Sequence, residues 1–481
     1  MSICCGFFEN VGCYLHKFLT LYSNFIVAMS HVNDMTVGRP TMKIVSFALP
    51  LILGYILQQV YLIIDAAIVG RWIGVGALAA VGASSSIMFL IMGFCNGSCA
   101  GFAIPVAQSF GAKDFSKMRA YVANAIRVAV VIAVVLTIVT CIFCNRILRV
   151  VNTPDEIFHD AFIFLFLQFL TIPFTIAFNL LAGFIRALGN SRQPFYFLIA
   201  ASFLNVFLDV LFIIIMGMGV EGAGIATMLA QLFSAWLCVR YIRKHLQVLI
   251  PMGKERAYHD RMVGRLLNAG IPMGLQFSIT GIGIIMLQSA NNALGTIYVA
   301  AFTASMRVKY LFTCVFENIG VAMATYCGQN VGAHQLTRIK DGVRSAIKIM
   351  LVYFVFTVLV IYPFADEMMM LFVDTNGAAA NSSMAIVENA ALFMRIANYF
   401  YPVLGLLTIF RYSIQGMGYS NLSMLSGVME MIARCGVSLW IVPAFHFLGV
   451  CYGDPVAWVS ADLFLIPAFI YVYHRLKKHH V

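Results

Sequence analysis

Asp209 sits inside the apolar run 194 to 216, and Asn205 lies four residues before it, a spacing that sets both side chains on one helix face. A carboxylate at the centre of a bilayer costs about 2.5 to 3.5 kcal/mol on insertion scales, so Asp209 calls for a proton, a bound cation or a partner. No Lys or Arg occurs between 201 and 231. Beyond a turn rich in glycine (Gly217, Gly219, Gly222, Gly224), Thr227 on the next apolar run offers one more oxygen. Asp65, near the outer end of the first apolar run, is the other acid of this half without an obvious counter-charge. These residues read as a small intramembrane site for H+ or Na+; the plainer alternative is that each acid accepts hydrogen bonds from neighbouring helices.

The elements that must position them are membrane helices. With 61% hydrophobic and 11% charged residues over 481, the chain is too apolar for a soluble protein. About 20 apolar residues span the hydrocarbon, and twelve such runs occur between 44 and 473. The expected fold is an all-α polytopic membrane protein of 12 transmembrane helices. The net charge of +11 is a matter of topology. Of 31 Lys and Arg, 24 fall on the side carrying both termini, Arg186 and Arg411 among them. Three (Arg71, Arg146, Arg149) fall on the other side and four (Arg307, Lys309, Arg395, Arg434) within spans. The positive-inside rule therefore places both termini in the cytoplasm and the chain in the cell membrane as a multi-pass protein. Nucleic acid is not an expected partner.

An internal repeat divides the chain. Gln108, Gly111 and Ala112 return as Gln329, Gly332 and Ala333, an offset of 221. Pro50 answers Pro272, and Pro173 with Arg186-Ala-Leu-Gly189 answers Pro402 with Gln415-Gly-Met-Gly418. Two copies of six helices follow, and because six is even both insert in the same direction. The spacing predicts two six-helix bundles related by a pseudo-two-fold axis along the membrane normal, with a cavity between them. The expected divisions are an N-terminal cytoplasmic or interfacial segment (1–40), an N-lobe (41–239), a cytoplasmic linker (240–263), a C-lobe (264–474) and a basic tail (475–481).

The second copy carries Glu317, Glu430 and Asp462 together with basic residues. Glu430 and Arg434 stand one helical turn apart and read as a structural ion pair. Asn96, Asn179, Gln276 and Gln288 are candidate cavity residues, although buried amides also join helices. The Cys141/Cys144 and Cys95/Cys99 pairs lie in apolar runs without nearby His, and read as packing rather than metal or redox groups. No cofactor is expected.

The run from Asp34 to Gly82, the Gln108 to Lys113 motif, Arg-Ala-Leu-Gly-Asn at 186–190 and Leu-Asn-Val-Phe-Leu-Asp at 204–209 resemble the multidrug and toxic compound extrusion transporters. The resemblance implies a two-lobed exporter that cycles between outward-facing and inward-facing states. Such a protein moves organic cations or amphiphilic drugs against inward H+ or Na+, is not an enzyme and works as a monomer. It also implies that Asp65, Asn205, Asp209 and Thr227 correspond to the N-lobe cation site of one branch, where Na+ is the possible metal. Another branch uses acids in its seventh and tenth helices; here the seventh has none and the tenth has only Glu388 near its start. A flippase of a lipid-linked precursor would share the fold, with Arg307, Lys309, Arg395 and Arg434 as candidates for headgroup contact. An intramembrane enzyme lacks support, since no HExxH, paired-Asp or Ser-His arrangement falls at membrane depth.

Overall fold

The computed structural model describes residues 34–151, 153–372 and 380–479. Most of the 1–40 segment, expected to be interfacial, lies outside the described residues. Among these the chain is helical, without a strand. The first six spans are α1 (Pro40–Ile68), α2 (Val75–Gly111), α3 (Phe115–Val150), α4 (Asp155–Ala187), α5 (Arg192–Asp209) and α6 (Val220–His245). The second set comprises α7 (Asp260–Asn292), α8 (Thr296–Gly332), α9 (Leu336–Met370), α10 (Ala380–Tyr399), α11 (Tyr401–Gly416), α12 (Ser420–Gly436), α13 (Val442–Phe445) and α14 (Phe447–His479). Eleven helical spans among the described residues are long and apolar enough to cross a membrane, and α10 with α11, bent by 52° at their junction, makes the twelfth. The all-α, twelve-span expectation is met, and the protein is integral to a membrane.

Local chemistry sets the helix ends. Asp114 caps α3 by accepting from the Lys117 N–H at 3.0 Å, which satisfies one of the open donors of the first turn. Asp155 and Glu156 occupy the first turn of α4, the favoured place for negative charge. The repeat is visible in the backbone: left-handed φ values recur at Gly74 and Gly295 (123° and 113°), Lys113 and His334 (57° and 58°), and Gly189 and Gly418 (83° and 92°). Each pair holds equivalent places in the two copies. Both α5 and α12 run on into a π-helical turn, Val210–Ile215 and Val437–Ile441.

The apolar core divides into two large clusters and one small one. The first gathers α2, α3, α4 and α6, the second α8 to α12 with α14. Two helices cross between them. The first turns of α1, through Ile44, Phe47 and Ala48, are buried in the cluster of the second half. The first turns of α7, through Leu266, are buried in that of the first half. A small cluster holding Ile68, Ala77, Phe164, Ile213 and Ala223 packs the far end of α1 against α2, α4, α6 and the π-helical turn after α5.

Small residues let α2 and α7 meet along their lengths. A Cβ on Gly97 would fall 2.6 Å from the Met273 carbonyl oxygen, and one on Gly101 would fall 2.5 Å from that of Ala269. Gly270 and Gly274 make the same approach from α7, against Phe102 and Ser98. Backbone contact of this kind is the membrane substitute for hydrophobic association. The equivalent seam between α1 and α8 carries Leu51, Tyr55 and Asn318 instead, and these residues border a cavity.

Candidate functional site

A cavity of about 640 Å³ lies among α1, α2, α4, α5 and α6, with Asn318 of α8 on its far wall. Its walls are mostly apolar and aromatic, with Gln58, Asn96, Gln168, Asn179 and Gln231 as polar points. The charged residues lining it are Asp65 and Arg186. A smaller cavity of about 250 Å³ shares Asn96, Asn179, Arg186 and Asn318 with the first and extends to Met273 and Phe277 of α7 and Tyr412 of α11.

The structure brings Asp65, Asn205, Asp209 and Thr227 together. Asp65 and Thr227 line the larger cavity, while Asn205 and Asp209 lie behind them, 3% and 0% exposed. With its amide turned to satisfy both ends, Asn205 donates to Asp209 Oδ2 at 3.2 Å and accepts from the Thr227 N–H at 3.2 Å. The carboxyl groups of Asp65 and Asp209 are within hydrogen-bonding reach of each other, and Tyr61 stands beside both. One oxygen of each acid, Oδ1, is buried with no partner among the described residues. Two carboxylates in contact and out of water repel, so the pair suits a shared proton or an intervening cation. The oxygen set of two carboxyls, an amide and the Thr227 hydroxyl, which itself donates to the Ala223 carbonyl at 3.0 Å, is one that suits a hard monovalent cation.

The amides divide. Asn96 and Asn179 line both cavities. Gln276 lines neither; its Oε1 accepts from Gln415 Nε2 and from Ser423 Oγ, each at 2.8 Å, in a buried knot joining α7, α11 and α12. Gln288 is exposed on α7 and lines neither cavity.

The second half concentrates its charge away from the cavities. Glu430 accepts from Arg434 Nη1 at 3.2 Å, the expected pair, but also pairs with Arg411. Arg434 Nε donates to Asp454 Oδ1 at 3.0 Å, and Asp454 pairs in turn with Lys309. All five groups are nearly inaccessible. Arg411 is therefore not a residue of the basic face, as its place near the end of a span suggested: α11 continues past it to Gly416, and its guanidinium turns inward to Glu430 and Ser426. Asp454, whose partner lies 145 residues away, was not marked by the sequence. Glu317 accepts from the Tyr412 hydroxyl at 3.1 Å, and both oxygens of buried Asp462 lack a partner among the described residues. Of the basic residues that would favour headgroup contact, Lys309 and Arg434 are held in this cluster, Arg395 pairs with Asp366 at 2.5 Å, and Arg307 lines neither cavity.

The motif that carries the repeat joins the two copies. Gln108 Nε2 donates to the Gly416 carbonyl at 3.0 Å, and Gln329 Nε2 donates to the Ala187 carbonyl at 2.8 Å. A Cβ on Gly111 would stand 1.9 Å from the Gln329 oxygen, and one on Gly332 would stand 1.8 Å from the Gln108 oxygen. The two copies of the motif thus clasp each other.

Eleven apolar spans among the described residues, twelve with the bent pair, together with a repeat, a cavity walled by the first copy and reaching Asn318 of the second, and buried acids at its side make the architecture of a membrane transporter. A family profile described as MatE matches residues 50–211 and again 272–440, once per copy of the repeat, and the chain belongs to that family. The probable multidrug resistance protein YoeA of Bacillus subtilis (strain 168) is 28% identical over 335 residues, 68% of this chain and 72% of that one. The multidrug export protein MepA of Staphylococcus aureus (strain N315) is 22% identical over 431 residues, 89% of this chain and 92% of that one. A solved multidrug resistance MATE family transporter of the MOP superfamily, in its outward-facing conformation, superposes with a TM-score of 0.84 at 20% identity, covering 94% of this chain and 99% of that one.

Proposed function

We propose that the protein is a multidrug efflux transporter that exports organic cations or amphiphilic drugs in exchange for inward H+ or Na+. The observation that carries this reading is the contact between cavity and acids: Asp65 and Thr227 form part of the cavity wall, and Asp209 with Asn205 lies directly behind them. Occupancy of the acid pair by a proton, or by Na+ held by Asp65, Asn205, Asp209 and Thr227, changes the packing of α1 against α5 and α6. A bound ion shifts a conformational equilibrium only by its differential affinity for the two states. A solute in the cavity and an ion at the pair therefore compete through the shared wall.

The lobes are read as 41–239 and 264–474, joined by a cytoplasmic linker at 240–263, with both termini cytoplasmic and the monomer as the working unit. In this orientation the Gln108 and Gln329 clasp closes the cytoplasmic end, and its opening is the inward-facing step of alternating access.

The test is efflux of a fluorescent organic cation from proteoliposomes under a pH gradient or a Na+ gradient imposed separately, for wild type and Asp209→Asn. Transport driven by one gradient and lost in the variant names the coupling ion. Undiminished export by a correctly inserted Asp209→Asn protein would falsify the scheme.

A further inference from the structure

Arg186 is a cation in the cavity wall. It lies in the last turn of α4, where the helix dipole favours positive charge but supplies no acceptor to its side chain. Among the described residues its guanidinium makes no hydrogen bond or ion pair, while Lys309, Arg395, Arg411 and Arg434 are each paired with a carboxylate. The ionisable groups facing it are the buried thiols of Cys99 and Cys238. It lines both cavities and is the charged residue of the smaller one.

A guanidinium presents five N–H donors in a planar fork, remains charged at any physiological pH, and matches carboxylate and phosphate geometry. Held away from bulk water with those donors free, it offers more to an anion than the same group at the surface. The neighbouring wall is apolar, with Met88, Met92, Phe178 and Phe195 from three helices. On the reading of this space as the transport cavity, we propose that Arg186 anchors the anionic group, a carboxylate, sulfonate or phosphate, of an amphiphilic solute whose apolar body lies along that wall. The cavity then takes amphiphiles with a negative charge at the Arg186 end, in addition to the cations expected at Asp65.

The test uses the full chain in detergent and in liposomes, with a xanthene dye carrying a free carboxylate and its ethyl ester as matched probes. Equilibrium binding is read by fluorescence anisotropy and gradient-driven uptake in the liposomes, for wild type, Arg186→Gln and Arg186→Lys. Wild type should bind the carboxylate dye more tightly than the ester. Arg186→Gln should weaken binding of the carboxylate dye about tenfold or more, the loss expected of a hydrogen bond to a charged group, with the ester unaffected. Arg186→Lys should keep part of the preference. Transbilayer movement of a fluorescent phosphatidylglycerol, lost in Arg186→Gln, would assign the anion to a lipid headgroup; carboxylate-dye uptake without lipid movement would assign it to a free solute. The anion site is overturned if wild type does not distinguish the two dyes, or if Arg186→Gln binds both as wild type does. Equal loss of both dyes in an Arg186→Gln protein that melts as wild type also overturns it, making Arg186 a structural residue. Selective binding by a wild type that moves neither dye under any gradient would leave the anion site standing and remove the transport reading.

Discussion

Gln108 and Gln329 hold equivalent places in the two copies of the repeat, and each donates to a carbonyl of the other copy, at Gly416 and at Ala187. The acceptors are themselves equivalent, since Ala187 and Gly416 stand at matching points of the Arg186 to Gly189 and Gln415 to Gly418 segments. An amide hydrogen bond contributes about 0.5 to 1.5 kcal/mol net, so removing both shifts a two-state closure equilibrium by roughly fivefold or more. Gln108→Ala with Gln329→Ala should raise the labelling rate of a cysteine placed beneath the clasp, from the side carrying the basic loops. An unchanged rate would mean that the glycine contact alone holds that end shut.

Gly101 on α2 leaves no room for a methyl group beside Ala269 and Gly270. Gly101→Ala forces two backbones apart, and overpacking of this kind costs about 1 to 3 kcal/mol. The melting temperature in detergent should fall, while Gly76→Ala, where a Cβ meets nothing within 4 Å, should leave it in place.

Asp454 holds Lys309 and Arg434 at once. Asp454→Asn strands both cations, and breaking a buried pair by removing one partner costs about 3 to 5 kcal/mol. The variant should insert poorly or melt far below wild type, and Asp454→Asn combined with Lys309→Met should recover part of the loss. No recovery would show that the Arg434 contact matters more than the Lys309 contact.

Asn205 ties Asp209 to the backbone of Thr227. Asn205→Leu removes a hydrogen bond to a carboxyl group, worth about 1.5 to 3 kcal/mol, and should cut gradient-driven transport by roughly tenfold or more with insertion intact. Transport at the wild-type rate would separate Asn205 from the acid pair.

Glu255, in the segment between α6 and α7, is gripped by Arg119 through Nε and Nη2, both at 2.6 Å, and accepts from Ser116 Oγ at 2.9 Å. The Arg119 hydrogen bonds, helped by the Met252 N–H, hold its carboxyl down to about 2. Because the folded value lies below the unfolded one, the contribution is complete above the usual carboxylate range and disappears only as pH falls towards about 2. Amide exchange of residues 252–257 should therefore show no loss of protection specific to this contact between pH 7 and about 4, the ordinary carboxylate range. Glu255→Gln should lose protection there at every pH.

Features set by local spacing were legible in the sequence. Asn205 and Asp209 are one turn apart, so any helix brings them together, and the run lengths and recurring Gln-x-x-Gly motif gave twelve spans and two copies. The unread features depend on neighbours distant in sequence. Arg411 resembles a residue of the basic face until α11 packs beside α12 and offers it Glu430. Asp454 carries no local mark of its role, because its partner Lys309 lies 145 residues away in the sequence. Arg186 reads as one more topological charge because nothing in the sequence states which face of α4 borders a cavity. Residue type alone makes Gln276 a cavity candidate, and its partners Gln415 and Ser423 lie on helices that spacing along the chain does not connect.

The exchange of first turns between α1 and α7 bears on how the chain matures. Ile44, Phe47 and Ala48 leave the ribosome early but find their buried neighbours only once α8 and α9 have been made, whereas Leu266 finds its seat in a first half that is already complete. Synthesised alone, the first half would present an unseated α1 terminus to lipid, and the second half would lack the α1 residues that finish its core. The newborn N-terminal half is thus an unfinished object that the later one completes, and a chain cut at the linker should regain its fold only when both fragments are made in the same membrane.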